Sequence, residues 1–251
     1  VPDDTLRVLS LNIQVGLRST HYRHYVTQAW RHVLPSRGVR GTLDLIAALA
    51  SEFDVVALQE ADAGSLRSSR LNQVAYLAEK AGFPHWHAAV NRNLGAFAQH
   101  CLGVLSREPM IVRAHLALPG PVRGRGALEV ELQRPHCQPL RLLNTHLSLG
   151  REARRQQLAF LAQRIDPTSA SLLIGDLNCE PAELAADEAI RVAGLRVTQS
   201  QPTFPSWRPR RCLDHLLATA SVDVLDSRAL DLQLSDHLPL ATTLRWPPKA
   251  G

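Results

Sequence analysis

Lysine is nearly absent from this chain of 251 residues: only Lys80 and Lys249 occur, and the remaining cations are arginines. Arginine's planar fork suits bidentate phosphate binding better than a lysine point charge. A GC-rich genome would produce the same skew, so alone it decides little. Cysteine is also scarce, with Cys101, Cys137, Cys179 and Cys212 widely scattered and no C-x-x-C pair. That excludes a disulfide miniprotein and gives no sign of a zinc or redox motif. Reduced thiols in a cytoplasmic protein are expected. No apolar run is long enough to span a bilayer, and the first strand-like segment starts almost at residue 1, leaving no room for a signal peptide. A leader removed before residue 1 stays open. No Gly/Ser or Pro linker, internal repeat or low-complexity tract divides the sequence, so one domain over residues 1–251 is expected.

What is present is a globular composition, with 45% hydrophobic and 20% charged residues and a formal charge of +5. Apolar runs alternate with helical patterns, which predicts strands interleaved with helices. Leu6 to Ile13 reads as a strand. Thr42 is a candidate cap for a helix burying Leu43, Ile46, Ala47 and Ala50. Asp54 to Gln59 is a second strand, and Leu71, Val74, Ala75 and Ala78 mark a helix ending near Gly82. From His85 to His146, short β-like runs predict an antiparallel meander. A third helix is expected to turn Leu158, Leu161 and Ile165 inward and Arg151, Arg154 and Arg155 outward. Ser171–Gly175, Cys212–Ala218 and Leu238–Leu244 read as further strands. Two long interruptions, Gln14–Arg40 and Gln199–Arg211, are of a length that is usually functional.

Polar and metal-competent residues recur at the strand ends: Asn12, Glu60, His146, Asp176, Asn178, Asp214, Asp236 and His237. Open sheets gather ligand sites there, so these groups can converge from distant parts of the chain. Singly, each has a structural explanation as a cap, a turn former or a satisfied core histidine. Together they are hard to dismiss.

Their order carries a resemblance. Leu-Asn12-Ile, Leu-Gln-Glu60, Gly103-Val-Leu-Ser-Arg107, Asn-Thr-His146-Leu, Gly-Asp176-Leu-Asn178, Leu-Asp214-His and Ser-Asp236-His237-Leu-Pro resemble the endonuclease/exonuclease/phosphatase superfamily from Leu6 to about Leu244. That superfamily includes pancreatic deoxyribonuclease, neutral sphingomyelinases, inositol polyphosphate phosphatases and deadenylases. It implies an α/β fold, a four-layer sandwich of two central, mainly antiparallel or mixed β-sheets flanked by helices, with a Mg²⁺ (or Mn²⁺) phosphoesterase site at one edge. On its pattern Glu60 would be the principal metal ligand, with Asn12 and Asp236 assisting. Mg²⁺ prefers one or two carboxylates and keeps several waters. His237 would be the general base, held by Asp214 in the productive tautomer. Asp176 and Asn178 would orient the attacking water, and His146 would donate to charge developing on phosphorus.

The His at position 146 resembles the deoxyribonuclease, sphingomyelinase and deadenylase branch. Resemblance to inositol phosphatases around Ser206-Trp207 is partial, and small bacterial members of unassigned substrate are also similar. Arg107, Arg155, Arg208 and Trp207 are candidate phosphate or substrate contacts. For Arg107 a structural pairing with a nearby acid is preferred, and Trp207 either lines the substrate mouth or pins its loop. A phosphodiesterase acting on nucleic acid is expected from the +5 charge and from Arg18, Arg23, Arg92, Arg154, Arg155, Arg208 and Arg210. The alternatives are an esterase for phospholipid or inositol-phosphate head groups, peripheral at a membrane, and a non-catalytic binding module. A monomer is expected. With Glu60, Asp176, Asp214 and Asp236 assigned to the pocket, the surface facing the substrate should be more basic than the net charge suggests.

Overall fold

The computed structural model describes residues 4–16, 38–93, 97 and 99–249. Among the described residues, twelve strands form two six-stranded sheets. The first sheet has the order β11-β12-β1-β2-β4-β3, built from β1 (Thr5–Asn12), β2 (Val55–Asp62), β3 (His85–Asn93), β4 (Gln99–Ser106), β11 (Asp223–Ala229) and β12 (Leu240–Arg245). The second has the order β5-β6-β7-β8-β10-β9, from β5 (Met110–Ala117), β6 (Gly126–Leu132), β7 (Leu140–His146), β8 (Ser171–Asp176), β9 (Arg196–Val197) and β10 (Asp214–Ala218). Each sheet is mixed, with one parallel pair, β1 with β2 and β7 with β8, among antiparallel neighbours. Helices α1 (Val39–Ala50) and α2 (Gln73–Ala81) cover the first sheet, and α3 (Arg151–Ala162), α4 (Pro181–Ala186) and α5 (Glu188–Val192) cover the second.

Three apolar clusters correspond to the three interfaces of a four-layer α/β sandwich. The central one joins Leu6, Val8, Val55 and Val104 of the first sheet to Leu128, Leu142, Leu172 and Leu216 of the second. Leu9, Leu11, Val56 and Leu58 face the other way, against Leu43, Ile46, Val74 and Leu77 of α1 and α2. Leu143, Leu173 and Leu217 meet Leu158 and Leu161 of α3. Neighbouring strand residues therefore serve different interfaces, as the two-residue side-chain period requires. Truncating one of the fully buried leucines to alanine is expected to cost about 2–5 kcal/mol.

The row of side chains facing the sandwich interior changes character along each central strand. β1 runs Leu6, Val8, then Ser10 and Asn12; β2 runs Val55, Ala57, then Gln59; β7 runs Leu140, Leu142, then Asn144 and His146. β8 runs Leu172, Ile174, then Asp176, and β10, read backwards, runs Ala218, Leu216, then Asp214. One end of the sandwich is thus apolar and the other polar, though both are buried. At the changeover Gln59 Nε2 donates to Asn144 Oδ1 across the gap at 2.8 Å, and Asn144 Nδ2 donates to the carbonyls of Leu58 and Gly103 at 3.0 and 2.9 Å. These bonds tie the sheets together where dispersion contacts end.

Several local expectations change. Helix α1 begins a turn earlier than Thr42, with Gly38 at its N-cap, and Thr42 Oγ1 donates instead to the Gly38 carbonyl. Leu71 precedes α2, whose N-cap is Asn72, and the buried stripe is Val74, Leu77, Ala78 and Ala81. The segment from His85 to His146 is not one meander: β3 and β4 join the first sheet and β5, β6 and β7 the second. Arg154 does not point outward. It is buried and pairs with Glu183 of α4, which an isolated helical wheel cannot anticipate. All four cysteines are free thiols. Burial pushes Cys179 and Cys212 up to about 12, which leaves them unreactive packing groups. Among the described residues, no helix is long and apolar enough to cross a membrane.

Candidate active site

The polar end of the sandwich gathers the strand-end residues. Strand register aligns His146 with Asp176 across β7 and β8, and Asp176 with Asp214 across β8 and β10. Paired residues on adjacent strands project from the same face, so three chemical groups from distant sequence stand abreast on the inner face. Gly175 makes this possible. Its φ is +136°, and a Cβ there would lie 2.0 Å from the Thr145 carbonyl oxygen, so no side chain fits between β7 and β8 beside Asp176.

Asp176 is the hub. Its Oδ2 accepts from Asn12 Nδ2 at 3.1 Å and lies 3.4 Å from His146 Nε2 and 3.7 Å from His237 Nε2. Its Oδ1 accepts from the Asn178 backbone N–H at 3.1 Å. Asn178 itself has φ +54°, which asparagine tolerates, and its Nδ2 donates to the Leu147 carbonyl at 3.0 Å. Asn12 Oδ1 accepts from the Gln14 N–H at 3.1 Å, which fixes its amide with nitrogen toward Asp176. Asn12, expected among the metal ligands, therefore positions Asp176 as well.

His237 is paired with Asp214, Nδ1 to Oδ2, at 2.7 Å, and its ring packs at 4.9 Å, tilted, against Phe204. Burial disfavours its cation, yet the carboxylates of Asp214, Asp176 and Asp236, with the Asp214 hydrogen bond, outweigh that and hold its pKa well above the ordinary value. His146 behaves oppositely: burial, aided by Arg125, His237 and His100, pushes it down to about 3 despite Asp176 nearby. Two histidines that both approach Asp176 are thus shifted in opposite directions, His237 up and His146 down.

Glu60 sits where the β2–β4 register slips between Leu58 and Ala61, and it has φ +54°. A bulge re-aims a side chain, and here it turns Glu60 out of the strand row, leaving it 32% exposed and 3.6 Å from His146 Nδ1. Asp236 is buried, and its Oδ1 has no hydrogen-bond partner. Burial, with the like charges of Glu60 and Asp176, pushes it up to about 7, although the charge on His237 opposes this. Its segment is held by backbone and hydroxyl bonds: Ser235 Oγ donates to the Asn12 carbonyl at 2.6 Å, and the Ser206 N–H donates to the Asp236 carbonyl at 2.8 Å. A crowd of buried carboxylates with an unpartnered acceptor is short of positive charge. Carboxylate oxygens suit a hard divalent cation, and among the described residues the group whose ligand atoms all lie within 4.8 Å of one another is Asp176, Asp214 and His237, without the expected ligands Glu60 and Asp236.

The residues expected to touch substrate fare differently. Arg107 is at the opposite end of β4 from Glu60; its guanidinium donates to the carbonyls of Ser51, Phe53, Ala81 and Gly82 and stacks 4.8 Å from the Phe83 ring. It clamps the ends of α1 and α2, and its partners are carbonyls rather than the expected acid. Arg155 lies on the solvent side of α3, paired with Glu152 at 2.8 Å. Arg208 is exposed, and Trp207 is half-buried in the loop that Ser206 ties to Asp236. Arg18 and Arg23 lie outside the described residues.

Sequence reasoning missed a cavity of about 150 Å³ beside the cluster, whose walls include Glu60, His146, Asn91, Arg92, Arg123 and Arg125. The available signal was the Arg-Gly-Arg-Gly run at 123–126, an irregular pair of cations between two strands. Its relation to Glu60 is not local and had no trace in the pattern.

No curated protein matches the chain in sequence. Solved structures do. An endonuclease/exonuclease/phosphatase from Beutenbergia cavernae DSM 12333 is 26% identical with a TM-score of 0.76, covering 97% of this chain and 72% of that one. A mannosyl-6-phosphatase of Bacteroides thetaiotaomicron VPI-5482 is 15% identical with a TM-score of 0.68, covering 95% of this chain and 99% of that one. ANGEL2, a 2′,3′-cyclic phosphatase solved with adenosine-2′,3′-vanadate, is 16% identical with a TM-score of 0.69, covering 96% of each chain. The Endonuclease/Exonuclease/phosphatase family model matches residues 9–237, a span that runs from β1 to the His237 of the cluster. The chain belongs to the endonuclease/exonuclease/phosphatase family.

Proposed function

We propose that this chain is a divalent-metal-dependent phosphoester hydrolase, and within that class a phosphodiesterase or nuclease. The observation that carries the reading is the 2.7 Å Asp214–His237 pair aimed, through His237 Nε2, at the Asp176 carboxylate. A carboxylate on one imidazole nitrogen leaves the other to handle a proton. Relatives in this family act on phosphoesters, among them the mannosyl-6-phosphatase and the 2′,3′-cyclic phosphatase.

Glu60 and Asp236 would hold the cation, with Asn12 assisting; Mg²⁺ is the proposed ion and Mn²⁺ a substitute. Bound there, the ion would polarise the phosphoryl oxygens as a Lewis acid. The chain's own residues do the rest. In the metal-free protein the carboxylate cluster favours the cation of His237, and burial pushes Asp236 up to about 7. A cation held by Glu60 and Asp236 would offset part of the negative charge that favours the imidazolium, and His237 is the residue placed to exchange a proton with the attacking water. Asp176 and Asn178 orient a water for in-line attack on phosphorus; its proton passes to His237 Nε2 as the ester P–O bond opposite breaks, and the departing alcohol oxygen takes a proton from solvent. His146, neutral, donates its N–H to the oxygen on which charge develops. Asp214 keeps the His237 ring in register throughout.

A second reading, hydrolysis of a phospholipid head group, is favoured by Val90 and Val122, 44% and 51% exposed beside the cavity. Magnesium-dependent turnover on single-stranded DNA, duplex DNA, RNA, inositol phosphates and anionic phospholipid vesicles, with Asp176→Asn as inactive control, tests both. Turnover of a nucleic acid that weakens steeply with salt supports the first reading. Turnover confined to vesicles replaces it with the second, and no turnover on any phosphoester refutes both.

A further inference from the structure

Most arginines whose charge matters to the fold are paired. Arg7 lies against Asp54, Arg113 against Glu131, Arg134 against Glu108, Arg141 and Arg164 against Glu129, and Arg154 against Glu183. The arginines of the 150 Å³ cavity beside Glu60 are an exception. Among the described residues, no carboxylate comes within salt-bridge distance of Arg92, Arg123 or Arg125. Arg125 is partly buried, and burial works against its cation even though Glu60 and Asp176 favour it. A half-buried guanidinium with no carboxylate against it is free to bond an anion entering the cavity.

Backbone geometry brings these cations together. Gly124 has φ +86°, and a Cβ there would lie 2.6 Å from Arg92 Cβ and 2.8 Å from its Cγ. The loop between β5 and β6 can close on β3 only because residue 124 has no side chain, and this closure sets Arg123 and Arg125 beside Arg92. Asn91 shares the cavity wall, and its Oδ1 is buried without a partner. The same loop and Asn91 also wall an adjoining chamber of about 400 Å³, lined on its other side by Ala89, Val90, Leu116 and Leu118.

We propose that Arg92, Arg123 and Arg125 form a phosphate subsite that holds a phosphate of the substrate other than the one being cleaved, with the organic part of the substrate in the adjoining apolar chamber. The inference rests on the phosphoester reading of the neighbouring cluster and names its substrate class more narrowly: molecules with a second phosphate. A cavity of 150 Å³ accepts one tetrahedral anion and its ester oxygen. Several guanidinium groups can grip it by paired N–H donors. The chamber beyond, apolar on one wall, suits a sugar, base or acyl-glycerol portion.

Binding to the metal-free protein reads the arginines without a metal-bound phosphate, against the repulsion of the Glu60 carboxylate in the same cavity wall. Inorganic phosphate, thymidine 3′,5′-bisphosphate and glycerol 3-phosphate are titrated calorimetrically in excess chelator at low salt. The proteins compared are the full chain, Arg125→Gln, Arg123→Gln and Gly124→Ala, with folding checked by thermal unfolding. Saturable phosphate binding that weakens roughly tenfold or more in Arg125→Gln is expected, with a smaller loss in the exposed Arg123→Gln. Gly124→Ala removes no charge, and its loss of binding would report the convergence itself. Tighter binding of the bisphosphate, or of glycerol 3-phosphate, than of phosphate supports the proposal and tells nucleotide from lipid origin. Phosphate binding absent up to about 10 mM, or equal in the folded variants and the parent, overturns it. Because no turnover is measured, a protein that binds phosphate here yet hydrolyses nothing would refute the catalytic reading and leave the subsite standing.

Discussion

The two ends of the sandwich use the same residue types for opposite purposes. At the apolar end, Arg107 donates to four carbonyls, and Arg134 bonds Glu108 and the Thr5 carbonyl while stacking 4.6 Å from the Trp246 ring. Among the described residues, no buried side-chain polar atom of Arg107, Arg134, Glu108 or Trp246 lacks a partner, and the result is a stitched seam. At the other end the Oδ1 atoms of Asp214 and Asp236 are buried without partners, two histidines carry opposite pKa shifts, and Arg125 has no carboxylate against it. Buried polar groups without partners cost stability. On the proposed function, a cation and a phosphoester would complete the second end.

The comparison can be broken most severely at the open end. Asp214→Asn leaves the size of the pair unchanged but presents an N–H or a neutral oxygen to His237 Nδ1. Turnover of the identified substrate is expected to fall by about 10²–10⁴-fold with little change in the far-ultraviolet dichroism. At the stitched end the effect should be the reverse. Arg107→Ala is expected to destabilise by about 1–3 kcal/mol in urea unfolding, while turnover per folded molecule stays at the parental level.

Acid–base behaviour sharpens the contrast further. Asp236, raised from 3.8 to about 7, contributes stability that is complete below 3.8 and lost as pH rises through 7. His146, lowered from 6.5 to about 3, contributes stability that is present above 6.5 and lost as pH falls toward 3. In the metal-free protein these terms oppose each other between about pH 4 and 6.5. Asp236→Asn should therefore steepen the acid-side loss of the urea midpoint, and His146→Gln should flatten it. Ligand formation by Asp236 requires its proton to leave, so Mg²⁺ affinity should weaken below about pH 7 and lose part of that dependence in Asp236→Asn. The smallest effect is expected at the surface: Arg155→Ala, which removes only an exposed pair with Glu152, should leave both turnover and melting temperature unchanged.

The polar end was legible because its signal is written along single strands. Leu140, Leu142, Asn144 and His146, or Leu172, Ile174 and Asp176, show within one short run where a buried row turns polar, and no tertiary knowledge is needed to see it. Tertiary facts were not legible. Arg154 looks solvent-facing on a helical wheel until Glu183 arrives from α4. The split of the His85–His146 run between sheets depends on which edge each hairpin joins, and alternation alone does not encode that. Glu60 was found by its motif, but the bulge that turns it toward His146 is a property of β2 and β4 together. Arg123 and Arg125 went unread because their meaning depends on the approach of Gly124 to Arg92 and on the absence of a partner.

The claim that the open end is a metal-assisted phosphoester hydrolase site is tested most directly by turnover of bis-p-nitrophenyl phosphate with and without Mg²⁺, in the parent protein and in Glu60→Ala and His237→Ala. Turnover that requires Mg²⁺ and falls by about 10²-fold or more in each variant is the expected result. Turnover that survives chelation, or that persists at the parental rate in folded Glu60→Ala or His237→Ala protein, would contradict it.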